Sequence, residues 1–132
     1  MKLKNIKIEN YRCFKKADID FDENITLIVG KNGAGKTAIL DAVAVAVSTF
    51  LLGIDGGVSR GILKDDARYE FYDFDGTIDS QHQFPVSIES TGDCLDKRNI
   101  KWIRSLNSEN SNTTIKDARE LTNLSKDVQG RI

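Results

Sequence analysis

ITLIVGKNGAGKT, residues 25–37, is the stretch whose reading decides the fold. Gly30, Gly35, Lys36 and Thr37 satisfy G-x-x-x-x-G-K-S/T, the pattern of a phosphate-binding loop. Glycines at its two ends let the main chain turn without a Cβ clash, so successive N–H groups can point inward at phosphate oxygens. Lys36 then reaches the outer phosphates, and the Thr37 hydroxyl is placed to ligate Mg2+. A helix that starts here adds its positive end to the same anion. The nucleotide-binding positions are therefore Gly30, Lys31, Asn32, Gly33, Ala34, Gly35, Lys36, Thr37 and Ala38, with Thr37 as the metal ligand.

The flanks agree with that reading. Residues 25–29 are a continuous apolar, β-branched-rich run, the pattern of a buried parallel-type strand. Residues 36–52 alternate Ala and Val, yet 17 residues without Gly or Pro exceed a typical strand, and the loop must feed a helix. Only Asp41, Ser48 and Thr49 interrupt the apolar character beyond the first turn, so this helix is expected to be buried nearly all round.

Upstream, residues 2–9 set Leu3, Ile6 and Ile8 among Lys and Asn, which suits a strand with one wet face. NYRCFKK (10–16) reads as a turn, ADIDFD (17–22) as a second amphipathic strand, and 22–24 as another turn. Two half-exposed strands before a buried one imply an antiparallel edge leading into the nucleotide-binding sheet. Downstream, 53–61 (GIDGGVSRG) is a Gly-rich loop carrying Arg60, and residues 71–77 can add a short strand. Residues 84–90 and 99–106 alternate and read as a hairpin around a turn-like 91–98, with Trp102 and Ile100 in the core. After the polar loop 107–112, residues 114–128 place Ile115, Ala118, Leu121, Leu124 and Val128 at helical spacing, with Thr114 and Asp117 in capping-box positions.

Composition narrows the function classes. The 132 residues suit one domain or one lobe of something larger, and the net charge of −1 gives no global push toward nucleic acid. Cys13 and Cys94 lie far apart and His82 is the lone histidine, so neither a disulfide framework nor a zinc site is expected; the thiols read as those of a cytoplasmic protein. The N-terminus lacks an apolar signal core, and no membrane span is expected.

Two shorter motifs compete. Asp73-Phe74-Asp75-Gly76-Thr77 matches the D-x-D-G-T of haloacid-dehalogenase phosphatases, but its nucleophile should close a long buried strand and only Phe71 and Tyr72 precede it. Asp73–Gly76 also fits the D-x-x-G of a GTPase, yet no N-K-x-D follows. A solvated turn is the simpler reading. Arg12, Lys15 and Lys16 form a basic cluster beside the expected site, while Lys2, Lys4 and Lys7 solvate one strand face.

NIKIENYRCF followed by FDENITLIVGKNGAGKTAILDAV resembles the N-terminal lobe of ABC-class ATPases of the RecF, SMC and OLD type. Those begin with a strand ending in an N-F/Y-K/R turn, then two strands and a G-x-N-G-A/S-G-K-S/T loop, which Asn10-Tyr11-Arg12 and Asn32 fit. Beyond Leu52 the likeness is looser, to ATP-binding proteins of Septu-type anti-phage defence. The resemblance implies ATP and Mg2+ as ligands, and Arg12 approaching nucleotide or DNA phosphate. It also implies an ATP-dependent homodimer or assembly with the remaining half of the ATPase, acting on DNA or gating a partner nuclease. The family's signature motif (L-S-G-G-Q/E) and its apolar strand ending in Asp-Glu are not found in the sequence, so binding is expected rather than turnover, with the chain as the N-terminal part of a longer ATPase.

The expected fold is α/β, a P-loop NTPase lobe. Its mixed sheet has antiparallel N-terminal strands, a central strand–loop–helix, a β hairpin and a C-terminal helix. The expected divisions are 1–52, 53–83, 84–106 and 107–132. The expected function is ATP/Mg2+ binding in an ATPase of DNA repair or anti-phage defence, and the alternative is a non-hydrolysing interaction or regulatory module on the same scaffold.

Overall fold

The computed structural model describes residues 1–21, 33–54 and 60–130. The expected turn 22–24, the expected strand 25–29 and positions Gly30, Lys31 and Asn32 lie outside the described residues, as do positions 55–59. In chain order the strands are β1 (Lys2–Tyr11), β2 (Phe14–Asp20), β3 (Tyr69–Phe74), β4 (Thr77–His82), β5 (Val86–Cys94) and β6 (Lys97–Leu106); the helices are α1 (Gly33–Ser48) and α2 (Arg119–Gly130).

Alternation in β1, β2, β5 and β6 builds a four-stranded antiparallel sheet in the order β2-β1-β5-β6. Its register aligns Ile19, Ile6, Ser90 and Trp102 across one face, with Ala17, Ile8, Ile88 and Arg104 in the next row. The opposite face carries Asp18, Lys7, Glu89 and Ile103 in register and stays mostly polar. One greasy face and one wet face is the economy of an antiparallel sheet. All pairings among the described residues are antiparallel; the strand expected to run parallel, 25–29, lies outside them.

α1 lays its small residues on this sheet. Ala38, Ala42, Val45 and Ala46 are buried against Ile6, Ile8, Val86, Ile88 and Leu106. The indole Nε1–H of Trp102, wholly buried, donates to the Ala46 carbonyl at 3.0 Å, so the largest core residue also ties sheet to helix. Arg104 is buried beside it: Nε donates to the Thr114 carbonyl at 2.7 Å, and Nη1 to the Thr49 hydroxyl at 3.2 Å. α1 does not meet the expectation of burial nearly all round. Leu40 and Val47 of α1, and Leu51 in the 3-10 turn that follows it, are exposed on the outer side, because a single sheet covers one face of a helix. By length and composition Gly35–Gly53 is apolar enough to cross a membrane, yet its inner face is committed to the sheet.

Several boundaries differ from the sequence reading. The expected turn 10–16 shrinks to residues 12–13, because β1 runs on to Tyr11 and β2 already starts at Phe14, its partner in the ladder. The β5–β6 strands run on to Cys94 and restart at Lys97, so the connection is a tight turn with Leu95 at φ 56° rather than the longer 91–98. A register shift between Gly92 and Cys94 absorbs the irregularity, and an added Cβ on Gly92 would lie 2.3 Å from the Lys2 carbonyl. The C-terminal helix starts at Arg119 after a 3-10 turn, Lys116–Ala118. Thr114 does not cap it: its hydroxyl accepts the Ser105 N–H at 3.0 Å, because pairing with β6 takes that oxygen first. Residues 69–82 form a complete two-stranded ribbon, β3–β4, where one short strand was expected. The middle of the expected helical stripe survives in α2 and its lead-in: Ala118 and Leu121 are buried with Cys94, Ile100 and Trp102, and Leu124 packs against them, whereas Ile115 precedes the helix and is exposed. α2 also closes on the 3-10 turn Thr49–Gly53, where an added Cβ on Gly53 would fall 1.8 Å from Ser125 Oγ.

Candidate nucleotide-binding site

α1 opens at Gly33, so Lys36 and Thr37 sit in its first turn, and both side chains are exposed. That turn itself carries no acidic residue to offset the positive end of the helix. Ala38 is wholly buried beneath it, pinning the start of the helix to the sheet. Among the predicted site residues, Gly33 and Ala34 are seen as helix backbone, and Gly35 through Ala38 are fully placed. A Cβ on Gly35 would sit 3.8 Å from Phe14 Cζ, which brings the β1–β2 turn alongside the same helix start.

That turn is the N-Y-R sequence, and its backbone is unusual. Asn10 and Arg12 both have φ of 52°, in the left-handed region that non-glycine residues seldom enter. Surrounding contacts hold them there. Asn10 Nδ2 donates to the Pro85 carbonyl at 3.0 Å, and its own carbonyl accepts the Arg68 N–H at 2.9 Å. The Arg12 N–H donates to the Asp66 carbonyl at 2.6 Å, and its Nε pairs with Asp66 Oδ1 at 3.1 Å. Its Nη1 pairs with Asp41 Oδ2 on α1. Asp41 also receives Arg60 Nη1 at 2.9 Å, and the Arg60 N–H donates to Ser48 Oγ at 2.9 Å.

Arg12, Asp41, Arg60 and Asp66 thus form one network, one helical turn beyond Thr37. Partial desolvation pushes the Asp41 carboxyl up, but hydrogen bonds from Arg12 and Arg60 outweigh it and hold it below the usual carboxylate range. Beneath the network Tyr11 is wholly buried, with the Arg12 guanidinium carbon 5.3 Å from its ring centre. Burial, and then the Asp66 carboxylate, push the phenol up to about 12, so it stays protonated; its hydroxyl has no hydrogen-bond partner among the described residues.

Sequence reasoning found Arg12 and missed its partners. Asp41 was legible as the lone charge of an apolar helix beyond its first turn, a residue type seldom retained there without a mate. Asp66 and Arg60 carried no such signal. Lys15 and Lys16 are exposed and stand outside the Arg12 network. Asp73–Gly76 proves to be the ribbon's turn, with Asp73 Oδ1 accepting the Gly76 N–H at 3.0 Å and Gly76 at φ 85°. β3 is too exposed to be the buried strand a phosphatase nucleophile requires. His82 Nδ1 lies 2.8 Å from the Lys64 carbonyl, and its ring meets Tyr69 edge-on. Cys13 is exposed and Cys94 buried, both as free thiols.

An antiparallel sheet laid under a helix that opens on G-x-G-K-T, with an N-Y-R turn beside it, is the architecture of the N-terminal lobe of an ABC-class P-loop NTPase. The chain belongs to the family described as "AAA domain" (AAA_23), whose model matches residues 5–132. It is similar to the DNA double-strand break repair Rad50 ATPase of Methanosarcina mazei, 52% identical over 42 residues, which is 32% of this chain and 4% of that protein. It is also similar to two proteins named DNA replication and repair protein RecF. The one from Lactobacillus acidophilus is 44% identical over 43 residues, 33% of this chain and 12% of that protein. The one from Actinobacillus pleuropneumoniae is 35% identical over 104 residues, 75% of this chain and 27% of that protein. The matched stretches therefore cover less than a third of these relatives' own lengths.

Proposed function

We propose that this chain binds ATP with Mg2+ as the N-terminal lobe of an ATPase serving DNA repair or anti-phage defence from the cytoplasm. The observation that carries the reading is the start of α1: a helix N-terminus with no acidic residue in its first turn, presenting exposed Lys36 and Thr37 at the end of a G-x-x-x-x-G-K-T sequence. In this reading backbone amides of Gly30, Lys31, Asn32, Gly33, Ala34 and Gly35 cradle the phosphates, and Lys36 neutralises the outer ones. Thr37 holds Mg2+, which when bound spreads the phosphate charge. Ala38 fixes the helix start from below, and Arg12 is held over the same end by Asp41 and Asp66.

Hydrolysis in this reading waits on a signature motif and an Asp-Glu strand supplied by the remaining half of the ATPase or an ATP-dependent homodimer. The exposed stripe of Leu40 and Val47 on α1, continued by Leu51 in the turn after it, supports a covering layer of that kind. DNA and a partner nuclease are the proposed downstream partners, by likeness to the repair proteins. Titration with a fluorescent ATP analogue tests the reading. Lys36→Ala should abolish binding while leaving the melting temperature unchanged. Unchanged binding would sink it and favour a non-hydrolysing interaction module.

A further inference from the structure

The ribbon β3–β4 spends its aromatic residues in a way the core does not. Phe71 is 74% exposed, Ile78 72% and Phe74 57%, and Tyr69 is exposed as well. The register puts Tyr69, Phe71 and Ile78 on one face and Tyr72 with Phe74 on the other, the latter two rings 6.2 Å apart. Neither face is covered by described residues. Among them, each strand also has one neighbour only, leaving both outer edges with unpaired backbone groups. A lone two-stranded hairpin is marginal in water, and a third strand is the usual remedy.

The charge says what kind of third strand. Residues 69–82 contain Glu70, Asp73, Asp75 and Asp79 and no Lys or Arg; Glu70 is paired at the root with Arg68 at 2.7 Å, so the three aspartates give the arm its charge. Such a surface repels phosphodiester backbones and anionic lipid, and it repels a second copy of itself. It attracts cations that bring apolar side chains with them. The ribbon's base is anchored, since the Gln83 N–H donates to the Arg68 carbonyl at 2.8 Å and Tyr11 bridges to Ala67. The arm is therefore held out from the lobe at a fixed root beside the N-Y-R turn.

We infer that β3–β4 is a docking arm for a partner protein, which adds an extended segment alternating Lys or Arg with apolar residues to the ribbon's edge. Backbone pairing supplies the affinity in this mode, while alternate side chains meet the exposed rings and the aspartates. This inference is independent of nucleotide binding and survives the failure of that reading.

Fluorescence anisotropy on the full chain tests it with a labelled KVKVKVK peptide. An EVEVEVE peptide and a poly-dT oligonucleotide serve as counter-probes. The basic peptide should bind and the other two should not. Asp73→Asn with Asp79→Asn, and separately Phe71→Ser with Ile78→Ser, should each weaken it about tenfold, the size of one to two contacts. Both variants should keep the wild-type melting temperature. Four results would overturn the inference: no binding of KVKVKVK, binding that both double variants leave intact, poly-dT binding that they abolish, or a dimer that they dissolve.

Discussion

Two antiparallel β structures of similar residue type meet opposite fates in this chain. The β5–β6 pair buries Val86, Ile88, Ile100 and Trp102 under α1 and α2, whereas β3–β4 leaves Tyr69, Phe71, Phe74 and Ile78 in solvent. Both alternate, both are rich in aromatic and β-branched residues, and both close on tight turns at positive φ. The difference is the neighbour. β5 and β6 have β1 on one side and the small-residue face of α1 above them, so their alternation finds something to cover it. The ribbon lies outside that layer. Strand propensity specifies a pleated surface, and tertiary placement specifies whether that surface is a core or an interface.

The comparison is tested most severely at its buried pole. Trp102→Ala removes the largest core side chain and its bond to Ala46, and should cost about 4 kcal/mol in chemical denaturation. A loss below ~1 kcal/mol would mean that the sheet does not depend on this packing. A smaller effect is expected where the sheet's turn meets the helix. Asp41→Asn keeps the shape but discharges the acceptor of Arg12 and Arg60, and should cost about 1 kcal/mol at neutral pH.

The sign with pH follows from the direction of the Asp41 shift. Its folded value is depressed, so its contribution is fully present above the unfolded carboxylate value near ~3.9 and fades as pH falls through the lower folded value. Thermal melts of the wild type and Asp41→Asn should therefore converge below about pH 4 and stay parallel above it. The smallest effect belongs to the ribbon. Phe71→Ser with Ile78→Ser should change stability by no more than ~0.5 kcal/mol, since neither side chain is buried. A large destabilisation there would show the ribbon to be part of the core and erase the contrast.

Much of this molecule can be read without coordinates. The G-x-x-x-x-G-K-T pattern, the helix after it, the two strands before it, Trp102 in the core and the α2 stripe all follow from local spacing, and the family match agrees with them. Local spacing could not say that β5 would insert beside β1. That adjacency joins residues some eighty positions apart, as Ile8 and Ile88 do. Nor could it say that Asp41 mates with Arg12 across from another element, or that Leu40 and Val47 of an apolar helix would be left exposed.

The sequence by itself determined the periodicities and the G-x-x-x-x-G-K-T pattern, because both depend on residues within a few turns of one another. Only the tertiary structure decided which apolar faces are covered, which cation meets which carboxylate, and which strand pair is left reaching outward. Those outcomes depend on distant segments competing for the same surface, and no window along the chain contains that competition.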